Sequence, residues 1–215
     1  MIAIIDYGAG NLGSVYKAFK YIGANVEVTA DPRVVEHADQ LVLPGVGAFC
    51  HCMQGLEVVR MAAATRRFID SGRPFLGICV GLQMLFDSSE ELSGGVQPTG
   101  LGILPGTVVK FDFASVNGAE PETHALKVPH IGWNTLSFRP DAPLFEGLSQ
   151  GERVYFVHSY YPAPEDPAVV TATSDYGYSF CCAVQKGNVH ATQFHPEKSG
   201  AAGLQILRNF TQLGA

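Results

Sequence analysis

Hydrophobic positions fall in short runs along the first half of the chain. Ile2–Ile5 is apolar throughout and is closed by "DYGAGN". Asn25–Thr29 alternates as "NVEVT", Asp39–Leu43 is a short run stopped by "PGVGAF", and Pro74–Ile78 is a fourth. Between these runs the spacing becomes helical. Leu12–Tyr21 reads as a helix, Met53–Asp70 as a longer one ended by Ser71-Gly72, and Val80–Phe86 as the opening of another. Short apolar strands separated by helices predict a parallel sheet covered on both faces.

The second half changes character. Thr107–Phe113, Arg153–Tyr161, Ala168–Thr173 and Cys181–His195 are strand-rich. "QKGN" at Gln185–Asn188 lies between two alternating runs and signals a hairpin, and Ala201–Leu213 reads as a closing helix. From Ser88 to about Asn134 the chain is rich in Gly, Pro and polar residues and reads as loops with a strand or two. Within it, Phe113–Lys127 follows no motif. No repeat, low-complexity tract or linker divides the sequence. The expected fold is α/β, an open and mostly parallel sheet with helices on both faces. A strand-rich antiparallel part adds to it in the second half, all within one domain over residues 1–215.

Composition narrows the classes. Of the 215 residues, 47 % are hydrophobic and 16 % charged, which supports a sizeable core and argues against global disorder. A net charge of −6 argues against non-specific nucleic-acid binding, which needs a basic surface. The five cysteines are odd in number and do not suit a secreted disulfide framework. Cys50-His51-Cys52 invites a metal reading, but Cys181-Cys182 lacks the spacing of a partner pair, so no metal and no cofactor are expected. The N-terminus "MIAIIDYGAG" has no basic region, and no run reaches the ~18 apolar residues of a membrane span. A cytoplasmic protein with no membrane segment is the default.

Chemistry concentrates at strand ends. "GICVG" sets Cys79 between Gly77 and Gly81, where an apolar strand meets a helix. It resembles the Gly-x-Ser-x-Gly nucleophile elbow with sulfur in place of oxygen. The glycines remove side chains that would clash at so tight a turn, and the strained nucleophile has its side chain exposed. N–H groups at the helix start favour the thiolate. The alternative is a buried small residue that happens to be cysteine. A thiolate needs a base and the base an orienter. Among His37, His51, His124, His130, His158, His190 and His195, the last stands out in "VHATQFHPEKS". It ends an alternating run, and Glu197 two positions on projects from the same side of extended backbone. "LPGVGAF" at Leu43–Phe49 could offer backbone N–H groups of Gly45, Val46 and Gly47 to an oxyanion, or could be an ordinary glycine-rich loop.

Taken together, Gly77–Gln83, His195-Pro196-Glu197 and the Pro44–Gly47 loop resemble the class I glutamine amidotransferases over nearly the whole chain. The resemblance implies a flavodoxin-like fold and hydrolysis of L-glutamine through a cysteine thioester. It implies Cys79 as nucleophile, His195 as general acid and base, and Glu197 as its orienter. Gln83, Glu91, Ser159, Tyr160 and the Gly45, Val46, Gly47 and Val80 backbone would meet the substrate. "DYGAGNLGSV", "VPHIGWN", "YFVHSYY" and "HPEKS" look like one branch of that family, the glutaminase subunits of imidazole glycerol phosphate synthases in histidine biosynthesis. That likeness implies a heterodimer with a (β/α)₈-barrel cyclase, met through Asn11, Trp133 and Lys198, and an oxyanion loop held inactive until the partner and its ligand bind. On their residue types alone, Asn11 could be a helix N-cap, Trp133 core and Lys198 a solvated charge. The competing readings are a glutaminase subunit of vitamin B6 or anthranilate synthesis, a stand-alone cysteine hydrolase, or a catalytically silent subunit on the same fold.

Overall fold

A computed structural model describes residues 1–113 and 126–214. The first half runs β1 (Ile2–Ile5), α1 (Leu12–Tyr21), β2 (Val26–Thr29), α2 (Pro32–His37), β3 (Gln40–Gly45), α3 (Phe49–Val58), α4 (Met61–Asp70), β4 (Phe75–Cys79) and α5 (Val80–Gln83). The second half runs β5 (Phe86–Ser89), β6 (Leu104–Lys110), β7 (His130–Thr135), β8 (Ser137–Phe138), β9 (Arg153–His158), β10 (Tyr160–Pro164), β11 (Val170–Asp175), β12 (Ser179–Lys186), β13 (Val189–Thr192) and α6 (Gly200–Gln212). Of the motif-free Phe113–Lys127 stretch, residues 114–125, His124 among them, lie outside the described residues.

Eight strands form one sheet in the order β2-β1-β3-β4-β13-β12-β11-β8. The five from β2 to β13 run parallel, and β12, β11 and β8 follow antiparallel. Every residue of β1, β3, β4 and β13 is buried, as strands covered by helices on both faces must be. The hairpin between β12 and β13 turns at Gly187-Asn188, with Lys186 opposite Val189 and Gly187 at φ +56°. That turn sends β13 back parallel to β4, with Thr192 opposite Ile78. Beside the main sheet lie a three-stranded sheet, β10-β6-β5, and the antiparallel pair β7-β9.

Two expectations are corrected. The helix over Met53–Asp70 is two helices, broken at Arg60, which adopts a left-handed φ of 59°. The buried stripe of α3 is Phe49, Cys52, Met53 and Leu56, and continued at helical spacing it would turn Arg60 and Arg67 inward. The break re-phases the stripe to Met61, Ala62, Ala64, Thr65, Phe68 and Ile69. The helix over Val80–Phe86 is a single turn, because Phe86 already belongs to β5. The strand-rich Arg153–Tyr161 stretch holds two strands in different sheets, parted at Ser159. Finally, α2 was not anticipated, although Pro32 at its first position and the Asp31 side chain accepting from the Arg33 N–H at 2.9 Å are ordinary start signals. Among the described residues no helix is long and apolar enough to cross a membrane.

Candidate active site

Cys79 is the last residue of β4, which lies between β3 and β13. Its backbone sits at φ 57° and ψ −111°, a region that costs a non-glycine residue on the order of 1–3 kcal/mol and persists only where the surroundings enforce it. The surroundings here are backbone. A side-chain carbon added at Gly81 would lie 1.9 Å from the Leu43 carbonyl oxygen, and one at Gly77 2.8 Å from the Gly81 carbonyl oxygen. One at Gly45 would meet the Gly81 nitrogen at 2.8 Å. Gly45, in register with Cys79 on the neighbouring strand, is therefore a third member of the elbow. The expectation of an openly exposed sulfur is corrected. Cys79 is 3 % exposed, because flanking strands and the loops beyond them rise on both sides. Cys79 lines a cavity of about 270 Å³. Because α5 is a single turn, its start offers unpaired N–H groups rather than a long macrodipole.

His195 arrives beyond the end of β13, the strand paired with β4, and its backbone N–H donates to the Tyr155 carbonyl at 3.0 Å. Glu197 is in a short 3₁₀ turn, Pro196–Lys198, rather than in extended backbone. The pairing nonetheless forms: His195 Nδ1 lies 2.8 Å from Glu197 Oε1, with both side chains only 1 % exposed. Nε2 of His195 is buried, makes no hydrogen bond of ordinary geometry and belongs to a residue that lines the cavity with Cys79. Burial alone would lower the proton affinity of this ring. The Cys79 sulfur and the Glu197 carboxylate outweigh it and raise the pKa to about 10. The arrangement holds an imidazolium beside the Cys79 sulfur.

The cavity is lined by Cys79, His195, Val46, Gly47, Val80, Gln83, Glu91, Ser159 and Tyr160 among others. Gly45 stands behind Cys79 and Glu197 behind His195. The end of β3 and the loop after it are each tied by a side chain, Tyr7 Oη donating to the Pro44 carbonyl at 2.7 Å and Cys52 Sγ to the Val46 carbonyl at 3.4 Å. In a trans peptide the N–H points opposite to its carbonyl, so the Gly47 N–H faces away from Cys52. Gly47 itself is at φ +95°. Glu91 Oε2 accepts the Phe49 N–H at 2.8 Å and so caps α3, the helix that begins where this loop ends. Gln83 spends both amide hydrogens, on the Tyr160 carbonyl at 3.0 Å and on Gln193 Oε1 at 3.1 Å. It can offer a ligand only its oxygen.

Two groups at this site escaped the sequence reading. Gln193 is fully buried, and its Nε2 donates to Cys79 Sγ at 3.7 Å. No pattern in the sequence singles it out, since it follows the polar Thr192 just beyond β13. His158 lines the cavity, its Nδ1 2.9 Å from the Tyr160 carbonyl and its Nε2 3.1 Å from Nδ1 of His130. A carbonyl can only accept, so His158 Nδ1 carries the hydrogen and Nε2 accepts from His130. Burial holds both rings neutral, at pKa values of about 3 for His158 and about 4 for His130.

The residues expected to meet a partner lie outside the cavity. Trp133 is 48 % exposed, not core. It packs edge-on against Tyr155, and Lys198 Nζ stands 5.9 Å from the centre of the same Tyr155 ring. Asn11 is at the N-cap position of α1, but its side chain makes no capping hydrogen bond. The remaining cysteines, Cys50, Cys52, Cys181 and Cys182, are all free thiols.

Comparison with known proteins bears on this geometry. The sequence model of the family described as "Glutamine amidotransferase class-I" matches residues 3–213. A protein of Syntrophotalea carbinolica named "Imidazole glycerol phosphate synthase subunit HisH" is 55 % identical, over 98 % of each chain. One of the same name from Geobacter sulfurreducens is 52 % identical, over 99 % of this chain and 98 % of the relative. Among solved structures, "Structure of PurLQS from Thermotoga maritima" superposes with a TM-score of 0.70 at 19 % identity, over 98 % of this chain and 96 % of the other.

Proposed function

The chain belongs to the class I glutamine amidotransferases, and from that premise we propose that it is the glutaminase subunit of an imidazole glycerol phosphate synthase. In this reading it hydrolyses L-glutamine to glutamate and ammonia. The ammonia passes to a (β/α)₈-barrel cyclase subunit in a cytoplasmic heterodimer. The cyclase uses it to form imidazole glycerol phosphate and aminoimidazole carboxamide ribonucleotide, a step of histidine biosynthesis. Residues 1–215 act as one glutamine amidotransferase domain, and Asn11, Trp133 and Lys198 face the cyclase.

The chemistry follows from the groups in the cavity. Cys79 as thiolate attacks the side-chain amide carbon of glutamine, and negative charge gathers on the amide oxygen. Backbone N–H groups of Val80 and of the Gly45–Gly47 loop stabilise it, a kind of contribution worth about 2.7–4 kcal/mol per donor elsewhere. The imidazolium of His195 gives its proton to the departing nitrogen, the C–N bond breaks, and ammonia leaves a thioester on Cys79. Neutral His195 then takes a proton from water as its oxygen attacks the thioester. Glutamate departs, and the sulfur and the imidazolium are restored. Glu197 keeps Nδ1 protonated and Nε2 aimed at the reacting atoms through both halves. Gln83 offers its oxygen and Glu91 its carboxylate to the α-ammonium group, while Ser159 and Tyr160 supply backbone on the opposite wall.

The observation that carries this reading is a single cavity of about 270 Å³ shared by Cys79, His195, Gln83 and Glu91. The test is glutamine hydrolysis by the chain alone, then with a barrel cyclase and its nucleotide ligand. Activity should rise on assembly. Cys79→Ala should abolish it, while added ammonium salt still feeds the cyclase through the mutant complex. A Cys79→Ala protein that hydrolyses glutamine at the parent rate would end the assignment.

A further inference from the structure

Gln193 is fully buried in the chain segment that carries His195, yet the chemistry above gives its side chain no task. Its surroundings determine which way its amide faces. The Tyr160 carbonyl can only accept, so the Gln83 atom 3.0 Å from it is the NH₂ group. The same NH₂ group lies 3.1 Å from the Gln193 amide, which must present its oxygen there. The Gln193 NH₂ group is then left facing Cys79 Sγ at 3.7 Å. The backbone is pinned as well, since the Gln193 N–H donates to the Cys182 carbonyl at 2.8 Å. Donation therefore starts at the Gln83 NH₂ group, which gives one hydrogen to the Tyr160 carbonyl and the other to Gln193, and Gln193 in turn donates to the sulfur. A sulfur that always faces an N–H donor is held in one rotamer, and a hydrogen bond to a charged group is a strong one.

We propose that Gln193 is a catalytic residue of the same glutaminase reaction: its amide N–H fixes the Cys79 thiolate in the attacking position, and its oxygen ties that donor to Gln83. The proposal rests on the reading of Cys79 as nucleophile. It also places nucleophile and substrate contact on one hydrogen-bonded unit, so a ligand that moves Gln83 is felt at the sulfur.

Two variants test it. Gln193→Leu removes donor and acceptor at similar volume. Gln193→Glu keeps an oxygen for Gln83 but presents an acceptor to the sulfur. Alkylation of Cys79 by iodoacetamide at fixed pH, followed by mass of the Cys79 peptide, should slow at least about tenfold in both, as expected for loss of a hydrogen bond to a charged group. In the complex with the cyclase, kcat should fall by a similar factor with KM nearly unchanged. A role confined to packing would instead lower the melting temperature or raise KM through Gln83 and leave alkylation at the parent rate. That result overturns the proposal. If Gln193→Leu does not fold, Gln193→Glu decides. Cys79→Ala separates the two ideas: if it still hydrolyses glutamine, the nucleophile is wrong. If it does not, and the Gln193 variants alkylate and turn over normally, only the role of Gln193 falls.

Discussion

At the scale of single residues, the site depends on the two ends of one buried ring, that of His195. Nε2 of His195 makes no hydrogen bond of ordinary geometry to a protein group and belongs to a residue that lines the cavity with Cys79, where a bound molecule can meet it. Its counterpart, Nδ1, is held at 2.8 Å by Glu197. Glu197→Gln separates the functions of the two ends. The amide can still hold the ring by a hydrogen bond, but it removes a negative charge that helps raise the His195 pKa to about 10. Measured by NMR titration, that pKa should fall, because burial, the largest influence and one that lowers it, loses an opponent. Glutaminase activity in the complex should drop by about 10²–10⁴-fold, the range lost with a general acid–base group. An unchanged titration in Glu197→Gln would mean that the Cys79 sulfur alone sets the charge on His195.

At the scale of elements, the elbow is a backbone contact among β3, β4 and α5, and its glycines are there for space. Gly81→Ala would set a methyl carbon 1.9 Å from the Leu43 carbonyl oxygen, which no rotamer relieves. It should destabilise the chain by more than the about 1–3 kcal/mol typical of overpacking, or prevent folding, in urea-unfolding measurements. Gly13→Ala in α1, where nothing lies within 4 Å of the added carbon, is the control. It should be neutral or stabilise by up to about 1 kcal/mol. Equal effects of the two would remove the steric account of the elbow. This contact also explains what the sequence could carry. "GICVG" announces a tight strand-to-helix turn because glycine spacing is local, and "HPE" announces His195 and Glu197 for the same reason. Runs such as Ile2–Ile5 and Leu12–Tyr21 match their elements residue for residue, since continuous burial and helical period are properties of one segment. The break at Arg60, the strand starting at Phe86 and the parting at Ser159 depend on which surface each segment meets across the fold. Gln193 was illegible in the same way: its task exists only once β13 lies beside β4. The depth of Cys79 also followed from neighbours, not from its pentapeptide.

At the scale of the whole molecule, the fold stores uncharged imidazoles in its interior. His130 and His158 lie among Phe111, Phe156, Phe180 and Tyr176, and His190 is buried in β13. Burial lowers their pKa values to about 4, 3 and 4, from 6.5. Between pH 6.5 and about 4 the unfolded chain therefore binds protons that the folded chain does not. Stability must fall with falling pH across that window, by up to about 1.4 kcal/mol per pH unit for each histidine. Below the folded values both states are protonated and the loss levels off. The carboxyls of Asp31, Asp39 and Asp141, each held below 3.8 by a bonded cation, act only at lower pH, since their stabilisation is present above 3.8 and lost beneath it. Acid destabilisation should thus begin near pH 6.5, well before the carboxylates titrate. Urea unfolding from pH 8 to pH 4 measures it, and His190→Leu, far along β13 from the reacting atoms, should remove one histidine's share of the slope. A stability that stays flat from pH 6.5 to pH 5 would mean that these rings meet water or a hydrogen-bond acceptor that stabilises the imidazolium in the folded chain, and that the neutral hydrogen-bonded pair behind Tyr160 is not the state that holds this wall of the cavity.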